Sequence, residues 1–172
     1  IIAEFAAVIY LTARIERMSF MTAGLVFLAY SLLNGVMFSV IFLAYTMESI
    51  ASTFFITAGT FGAMSFVGYF IKKDLSALGR FLMMALIGLI IATVVNIFIQ
   101  SSGLMWICTY VGVLIFSGLT AYDTQKIKHM FLMHGAEMNE STMKLALMGS
   151  LTLYLDFINL FIYLLRIFGD RK

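Results

Sequence analysis

The sequence predicts an all-α polytopic membrane protein, a single transmembrane helical bundle domain covering residues 1–172. Its composition carries this prediction: 62% of the 172 residues are hydrophobic and only 12% are charged. A soluble domain is about half apolar and about a quarter charged. The chain contains no proline, so no helix is kinked or broken by one. The formal net charge of +2 gives no indication of a nucleic-acid partner, and the expected surroundings are a lipid bilayer.

Six apolar segments are visible. Five are long enough to cross a bilayer, and the first, at the start of the chain, is shorter. About 20 apolar residues span the hydrocarbon core as a helix. The uncharged stretch at 81–122 is too long for one span, and "QSSG" at 100–103 divides it. The first residue is Ile, so the natural start is expected upstream. In chain order, the predicted spans are 1–13, 18–47, 49–71, the two halves of 81–122, and a sixth around 145–165.

Lysine and arginine predict the orientation of the spans. Loops after the first, third and fifth spans carry eight basic residues, and the other two loops carry none. Basic loops stay on the cytoplasmic side of a membrane. A full crossing by the last span would then put the basic C-terminal residues outside, against this rule. The last helix is therefore either held across the membrane by packing, despite its charges, or re-entrant. The eight loop residues are Arg14, Arg17, Lys72, Lys73, Arg80, Lys126, Lys128 and Lys144.

Asp156 is the first candidate functional residue, because it is the only formal charge in the run 145–165. A carboxylate near the centre of a membrane helix costs about 2.5–3.5 kcal/mol on insertion scales, which makes a functional role the default interpretation. Thr152 lies four residues before Asp156, and Asn159 and Tyr163 lie three and seven residues after it, so all three are expected on the same helix face. The structural alternative is a buried, hydrogen-bonded carboxyl.

Asp123 is the second candidate, directly after "LIFSGLTAY" at the end of the fifth span. An acid at a helix end, followed by Lys126, is also typical of a solvated charge. Asp123 and Asp156 can meet only if the fifth helix continues past Asp123 or the last helix starts deeper in the cytoplasm. The segment "TQKIKHMFL" holds no helix breaker before Gly135, so continuation is expected.

Two neighbouring carboxyls in low-dielectric surroundings cannot both ionise cheaply, so the pair would share a proton and respond to pH. Ionised, the pair would attract calcium, which prefers several oxygen ligands. Extra oxygens could come from Asn159, Asn34 and Asn96, although such side chains more often bond to neighbouring helices.

No catalytic constellation is visible, and the protein is not expected to be an enzyme. His129 and His134 lie in the loop after the fifth span, without the HExxH spacing of a zinc protease. Cys108 is the single cysteine and lies in an apolar run, where a small buried hydrophobe is the ordinary interpretation. Two intramembrane aspartates also suggest an intramembrane aspartyl protease, but "YD" lacks the glycine-rich motif of that class.

Three motifs carry a resemblance to a known family. The segments "AYDTQKIK" at 121–128, "LYLDFINLFIYLLRIFG" at 153–169 and "IKKDLSALGRFL" at 71–82 resemble the transmembrane Bax inhibitor motif family, in its bacterial calcium-leak branch. The resemblance implies a seven-helix bundle whose C-terminal helix is central and surrounded by the other six. The six visible spans then imply that the family's first helix is absent from this sequence.

The resemblance also implies a function and its residues. Members of the family are calcium leaks or pH-dependent calcium transporters, with an aspartate pair in the last two helices as pH sensor. Asp123 and Asp156 occupy those motif positions, and calcium is the transported ion, with no cofactor. An arginine near the cytoplasmic end of the second helix locks the closed state, and Arg17, or else Arg14, matches it within "ARIER".

The sequence therefore predicts a pH-sensitive calcium leak of a bacterial inner membrane, gated by an aspartate pair that shares a proton. The alternative is a membrane-embedded regulatory partner of a membrane protease or other complex, without transport activity. Under that alternative the cytoplasmic loops, or an N-terminal tail expected upstream, would carry the activity, and substitution of the aspartates would matter little beyond stability.

Overall fold

The computed structural model describes residues 14, 17–134 and 139–172, most of which form five helices. All five are long and apolar enough to cross a membrane. Five of the six predicted spans are thereby confirmed as helices, and the first, at 1–13, lies outside the described residues. The helices are α1 (Phe20–Ala44), α2 (Met47–Phe70), α3 (Ser76–Ile99), α4 (Ser102–His134) and α5 (Glu140–Phe168).

Small polar residues set where three of the helices begin. Ser19, Thr46 and Asn139 precede α1, α2 and α5, and each side chain accepts a hydrogen bond from the backbone N–H three residues further on. Such caps satisfy backbone donors that have no partner within the helix. At the C-terminal end of α3, Gln100 adopts a left-handed conformation with φ of 53°, which ends the helix before α4 begins.

Helix α4 continues well past Asp123, as the absence of a breaker predicts. It ends at His134, immediately before Gly135. Helix α4 is also the most extensively buried of the five, and it packs against α2, α3 and α5. Cys108 lies in its core and is free, in agreement with the expected buried hydrophobe. The main buried cluster joins α3, α4 and α5 and consists of Leu82, Leu89, Cys108, Ile115, Phe116, Leu119, Leu160 and Leu164.

Helix α5 is one continuous helix of 29 residues that packs against α4, α2 and α1. The tail that follows it reaches the turn between α1 and α2. There the Thr46 amide donates to the Asp170 carbonyl at 3.1 Å, and the Lys172 amide donates to the Ala44 carbonyl at 3.0 Å. The helix therefore runs from one end of the bundle to the other. This arrangement matches a last helix held by packing rather than a re-entrant one.

The outward faces of the helices are apolar. Leu43 is 77% exposed and Phe98 is 82% exposed, and most exposed positions of α1 and α3 are likewise large hydrophobic residues. Contiguous apolar surface of this extent marks a membrane-contacting or protein-contacting face. Together with the five apolar helices, it identifies a multi-pass membrane protein.

Candidate functional site

The structure brings Asp123 of α4 and Asp156 of α5 together. Their carboxyl groups are direct neighbours, close enough to interact through charge and through a hydrogen bond. Asp156 is only 5% exposed, and its Oδ2 has no hydrogen-bond partner among the described residues. Asp123 is partly buried, with Lys126 as a nearby positive charge. The meeting required by the sequence argument thus occurs, because α4 continues beyond Asp123.

A close approach between α2 and α4 supports the Asp123 side of the pair. Gly68 of α2 is buried against the backbone of Ala121, two residues before Asp123. A Cβ atom at position 68 would overlap the carbonyl oxygen of Ala121. Small residues allow membrane helices to pack at this short separation. Gly68 therefore helps to fix the height and rotation of α4 where it presents Asp123.

Gln125 anchors the basic loop between α2 and α3 to the same part of α4. Its side chain is 3% exposed. The Oε1 atom accepts from the Leu75 amide at 2.9 Å, while Nε2 donates to the carbonyls of Lys73 at 2.9 Å and Ile71 at 3.4 Å. The sequence interpretation missed this residue. Its position in "YDTQKIK", on an apolar helix and two residues after Asp123, was the available signal.

Replacing Gln125 by leucine is expected to destabilise the protein by about 2 kcal/mol, because three backbone groups lose a buried hydrogen-bond partner. Thermal unfolding in detergent, followed by loss of the monodisperse fraction, measures this effect. Lys126→Leu is the neighbouring control, since Lys126 is exposed and should change stability little. Equal unfolding temperatures for Gln125→Leu and the wild type would show that the anchor is not needed.

The polar residues predicted beside Asp156 are largely occupied with their own helix or with packing. Thr152 donates to the Met148 carbonyl at 2.9 Å, and Asn159 donates to the Leu155 carbonyl at 2.8 Å. Tyr163 stacks on Phe116, with ring centroids 5.8 Å apart. Of these three residues, Asn159 lies nearest in sequence to Asp156 and can still offer its amide oxygen.

The other two predicted asparagines differ in position. Asn34 is 6% exposed on α1 and donates to the Tyr30 carbonyl at 3.1 Å, in the region where Tyr30 packs on α5. Asn96 accepts from the Ser101 amide at 3.0 Å and so stabilises the turn between α3 and α4. Asp123 lies 22 residues after Ser101, which is roughly 33 Å at the rise of a helix. The structure therefore does not gather Asn96 with the aspartates.

The two candidate latch arginines lie at one end of the bundle. Arg14 and Arg17 are both exposed, and Arg17 lies three residues before Phe20, the first residue of α1. The Phe20 amide donates to a Glu140 carboxylate oxygen at 3.3 Å, which places this segment near the start of α5. Asp156 is 16 residues further along α5, roughly 24 Å. Neither arginine is among the charges that act on the aspartate pair, so the latch stays a prediction.

Within the described ranges, no group of three or more His, Cys, Asp or Glu side chains gathers as a metal site. The two carboxylates alone provide fewer oxygens than the six to eight that calcium takes. His129 is exposed, as expected, but His129 and His134 belong to α4 and not to the predicted loop, because the helix continues to His134. The side chain of His134 lies outside the described residues. Among the described residues, the site therefore consists of two neighbouring carboxyl groups.

Comparison with known proteins gives the chain a family context. The chain matches, over residues 1–172, the family model described as "Inhibitor of apoptosis-promoting Bax1". It is 52% identical over 172 residues to the inner membrane protein YbhL of Escherichia coli K12, covering all of this chain and 74% of YbhL. A protein of Rickettsia prowazekii is 46% identical over 170 residues, 99% of this chain and 71% of that protein. A membrane protein of Streptococcus pyogenes serotype M1 is 42% identical over 144 residues, which are 84% of this chain and 62% of that protein.

Proposed function

The chain belongs to the Bax inhibitor family, and on that premise we propose that it is a pH-sensitive calcium leak of a bacterial inner membrane. The observation that carries the proposal is the direct contact between Asp123 and the buried Asp156 on two apolar helices. A pair of acids inside a membrane bundle is costly, and such residues commonly mark ion or proton pathways.

The shared proton is the proposed switch. With both carboxyls ionised, the pair repels itself and needs a cation, either calcium or an arginine such as Arg17, to neutralise it. One bound proton removes that requirement and lets α5 shift against α4. Two bound protons remove the charge that attracts calcium. Because Arg17 lies far from the pair in this structure, a state closed by that arginine would differ from the arrangement described above.

The incomplete oxygen set around the pair favours conduction over storage. Calcium usually takes six to eight oxygen ligands. Asp123, Asp156 and the Asn159 amide oxygen supply only part of that number, so an ion passing here would keep much of its water. Weak coordination allows the ion to leave again, which conduction requires.

The side of the membrane is proposed from the loop charges and from the description of YbhL as an inner membrane protein. The basic turn between α2 and α3 would face the cytoplasm, and the turn between α3 and α4 would face outward. Cysteines introduced at Lys73 and Ser101 should then be labelled from opposite sides of the membrane. Labelling of both from the same side would contradict this orientation. The native Cys108 is buried and should give little background.

Calcium influx into proteoliposomes tests the function itself. The natural protein should pass calcium faster than protein-free liposomes, with a rate that depends on pH. If folded protein passes no calcium at any pH, the leak is contradicted. Co-purification of a membrane protease with that inactive protein would then support the regulatory-partner function instead.

A further inference from the structure

The threonines of the five helices follow one hydrogen-bonding rule, with a single exception. Beyond the first turn of each helix, the described helices contain eight threonines. Seven donate their hydroxyl to the carbonyl four residues earlier, at 2.7–2.9 Å. This bond satisfies a threonine hydroxyl within its own helix. Thr53 does not make it, and its Oγ1 has no partner among the described residues.

Thr53 lies on the buried side of an otherwise exposed helix. Thr53 and Thr57 are both 0% exposed, whereas Phe55 on the same helix is 73% exposed. Ser49, four residues before Thr53, is also buried. Residues spaced by four share one face of a helix. Ser49, Thr53 and Thr57 therefore form a hydroxyl stripe on α2 that faces the bundle interior.

One end of this stripe contacts an acidic residue. At one end, the Ser49 hydroxyl lies 3.5 Å from Oδ2 of Asp170 and accepts from the Asp170 amide at 3.0 Å. Towards the other end, the same helix packs on the segment of α5 that carries Asp156. Phe157 contacts Phe54 and Phe61 there, with ring centroids 5.7 and 5.4 Å apart.

Among the described residues, only three buried side-chain oxygens lack a hydrogen-bond partner: those of Thr53, Ser65 and Asp156. Two lie on α2 and the third belongs to the carboxyl pair on α5. A buried polar group without a partner is costly, so such atoms are normally satisfied by water, an ion or a ligand. Thr53 directly precedes Phe54, whose ring contacts Phe157 beside Asp156, so the unpartnered oxygens of Thr53 and Asp156 belong to the contacting segments of α2 and α5.

We propose that the Thr53 hydroxyl is an oxygen contact for calcium, with its remaining water shell, on the route between Asp170 and Asp156. The Ser49, Thr53 and Thr57 stripe forms the polar wall of that route. This inference rests on the proposed leak function and adds a residue that neither the motifs nor the carboxyl pair identifies. Thr53 is suited to this contact because its hydroxyl is not occupied by its own helix.

The test compares calcium influx for Thr53→Val, Thr53→Ser and Thr60→Val with the wild type, in proteoliposomes. Valine keeps the shape and removes the hydroxyl, while serine keeps the hydroxyl. Thr60 is the matched control on the same helix, because its hydroxyl already donates to the Ile56 carbonyl at 2.9 Å. Thr53→Val should reduce influx about fivefold without moving the pH midpoint, and the other two variants should stay near wild type.

If the Thr53→Val protein passes calcium as fast as the wild type, and influx through the wild type depends on pH, the role of Thr53 is overturned and the leak stays intact. Absence of influx in the wild type would overturn the leak and this inference together. If Thr53→Val does not fold, Thr53→Ala removes the same hydroxyl, with Thr60→Ala as its control. Wild-type influx in Thr53→Ala would then overturn the inference in the same way.

Discussion

Asp156→Asn is expected to abolish the pH dependence of calcium influx between about pH 5 and 8, because asparagine cannot exchange the proton that the pair shares. The substitution keeps the size and hydrogen-bonding shape of a side chain that is 5% exposed. A single exchanged proton changes an equilibrium by at most about tenfold per pH unit. The wild-type profile should approach this slope, and the variant profile should be flat.

The controls for this prediction come from the rest of the chain. Asp123→Asn should flatten the profile in the same way, since it removes the other half of the pair. Asp74→Asn should not, because Asp74 is exposed and two hydrogen bonds from Ser76 lower the pKa of its carboxyl. Asp74 therefore stays ionised throughout this pH range. A wild-type profile in Asp156→Asn would exclude the pair as the switch.

Gly68→Ala is expected to destabilise the protein by about 1–3 kcal/mol, the usual cost of overpacking a tight contact. The added methyl group would meet the backbone of Ala121, which cannot rotate away as a side chain could. Helices α2 and α4 would have to separate close to Asp123. The carboxyl pair should be disturbed as well, so the variant should also lose part of its pH response.

Gly62→Ala is the matched control, since it makes the same change on the same helix. A Cβ atom at Gly62 would meet nothing within 4 Å, and this residue is exposed. Thermal unfolding of both variants in the same detergent isolates the effect of the contact. Equal unfolding temperatures for the two variants would show that the close approach of α2 and α4 does not support the fold.

The positions of the five described helices, and Asp156 as a candidate, were predictable from the sequence for one physical reason. Charge is expensive in an apolar helix, so the uncharged runs and the exceptions within them are both visible. Asp156 is such an exception. The uninterrupted segment after Asp123 indicated that α4 continues, and this continuation is what allows the two acids to meet.

Other features were not predictable, because identical residue types play different parts. Asn96 resembles a lining residue in the sequence, yet it stabilises a turn at the far end of α4. Thr53 resembles seven other threonines, and only the hydrogen-bonding pattern separates it. Gln125 resembles an ordinary polar residue of a helix end, although it binds three backbone groups of a distant loop. These distinctions depend on tertiary contacts.

The C-terminal basic residues illustrate the same limit. The charge rule alone left open whether the last helix crosses fully. The tail after α5 is held against the bundle, since Lys172 donates through Nζ to the Phe42 carbonyl at 2.9 Å and the Asp170 amide donates to the Ser49 hydroxyl. Packing and backbone hydrogen bonds thus fix the end of α5.

Infrared spectroscopy of the protein in membranes tests the shared proton most directly. Near neutral pH, where exposed carboxyls are ionised, the wild type should show the C=O stretch of a protonated carboxyl. That band should disappear in both Asp123→Asn and Asp156→Asn, and it should persist in Asp74→Asn. A wild-type spectrum without the band near neutral pH, or a band that survives in Asp156→Asn, would contradict the proton-sharing pair.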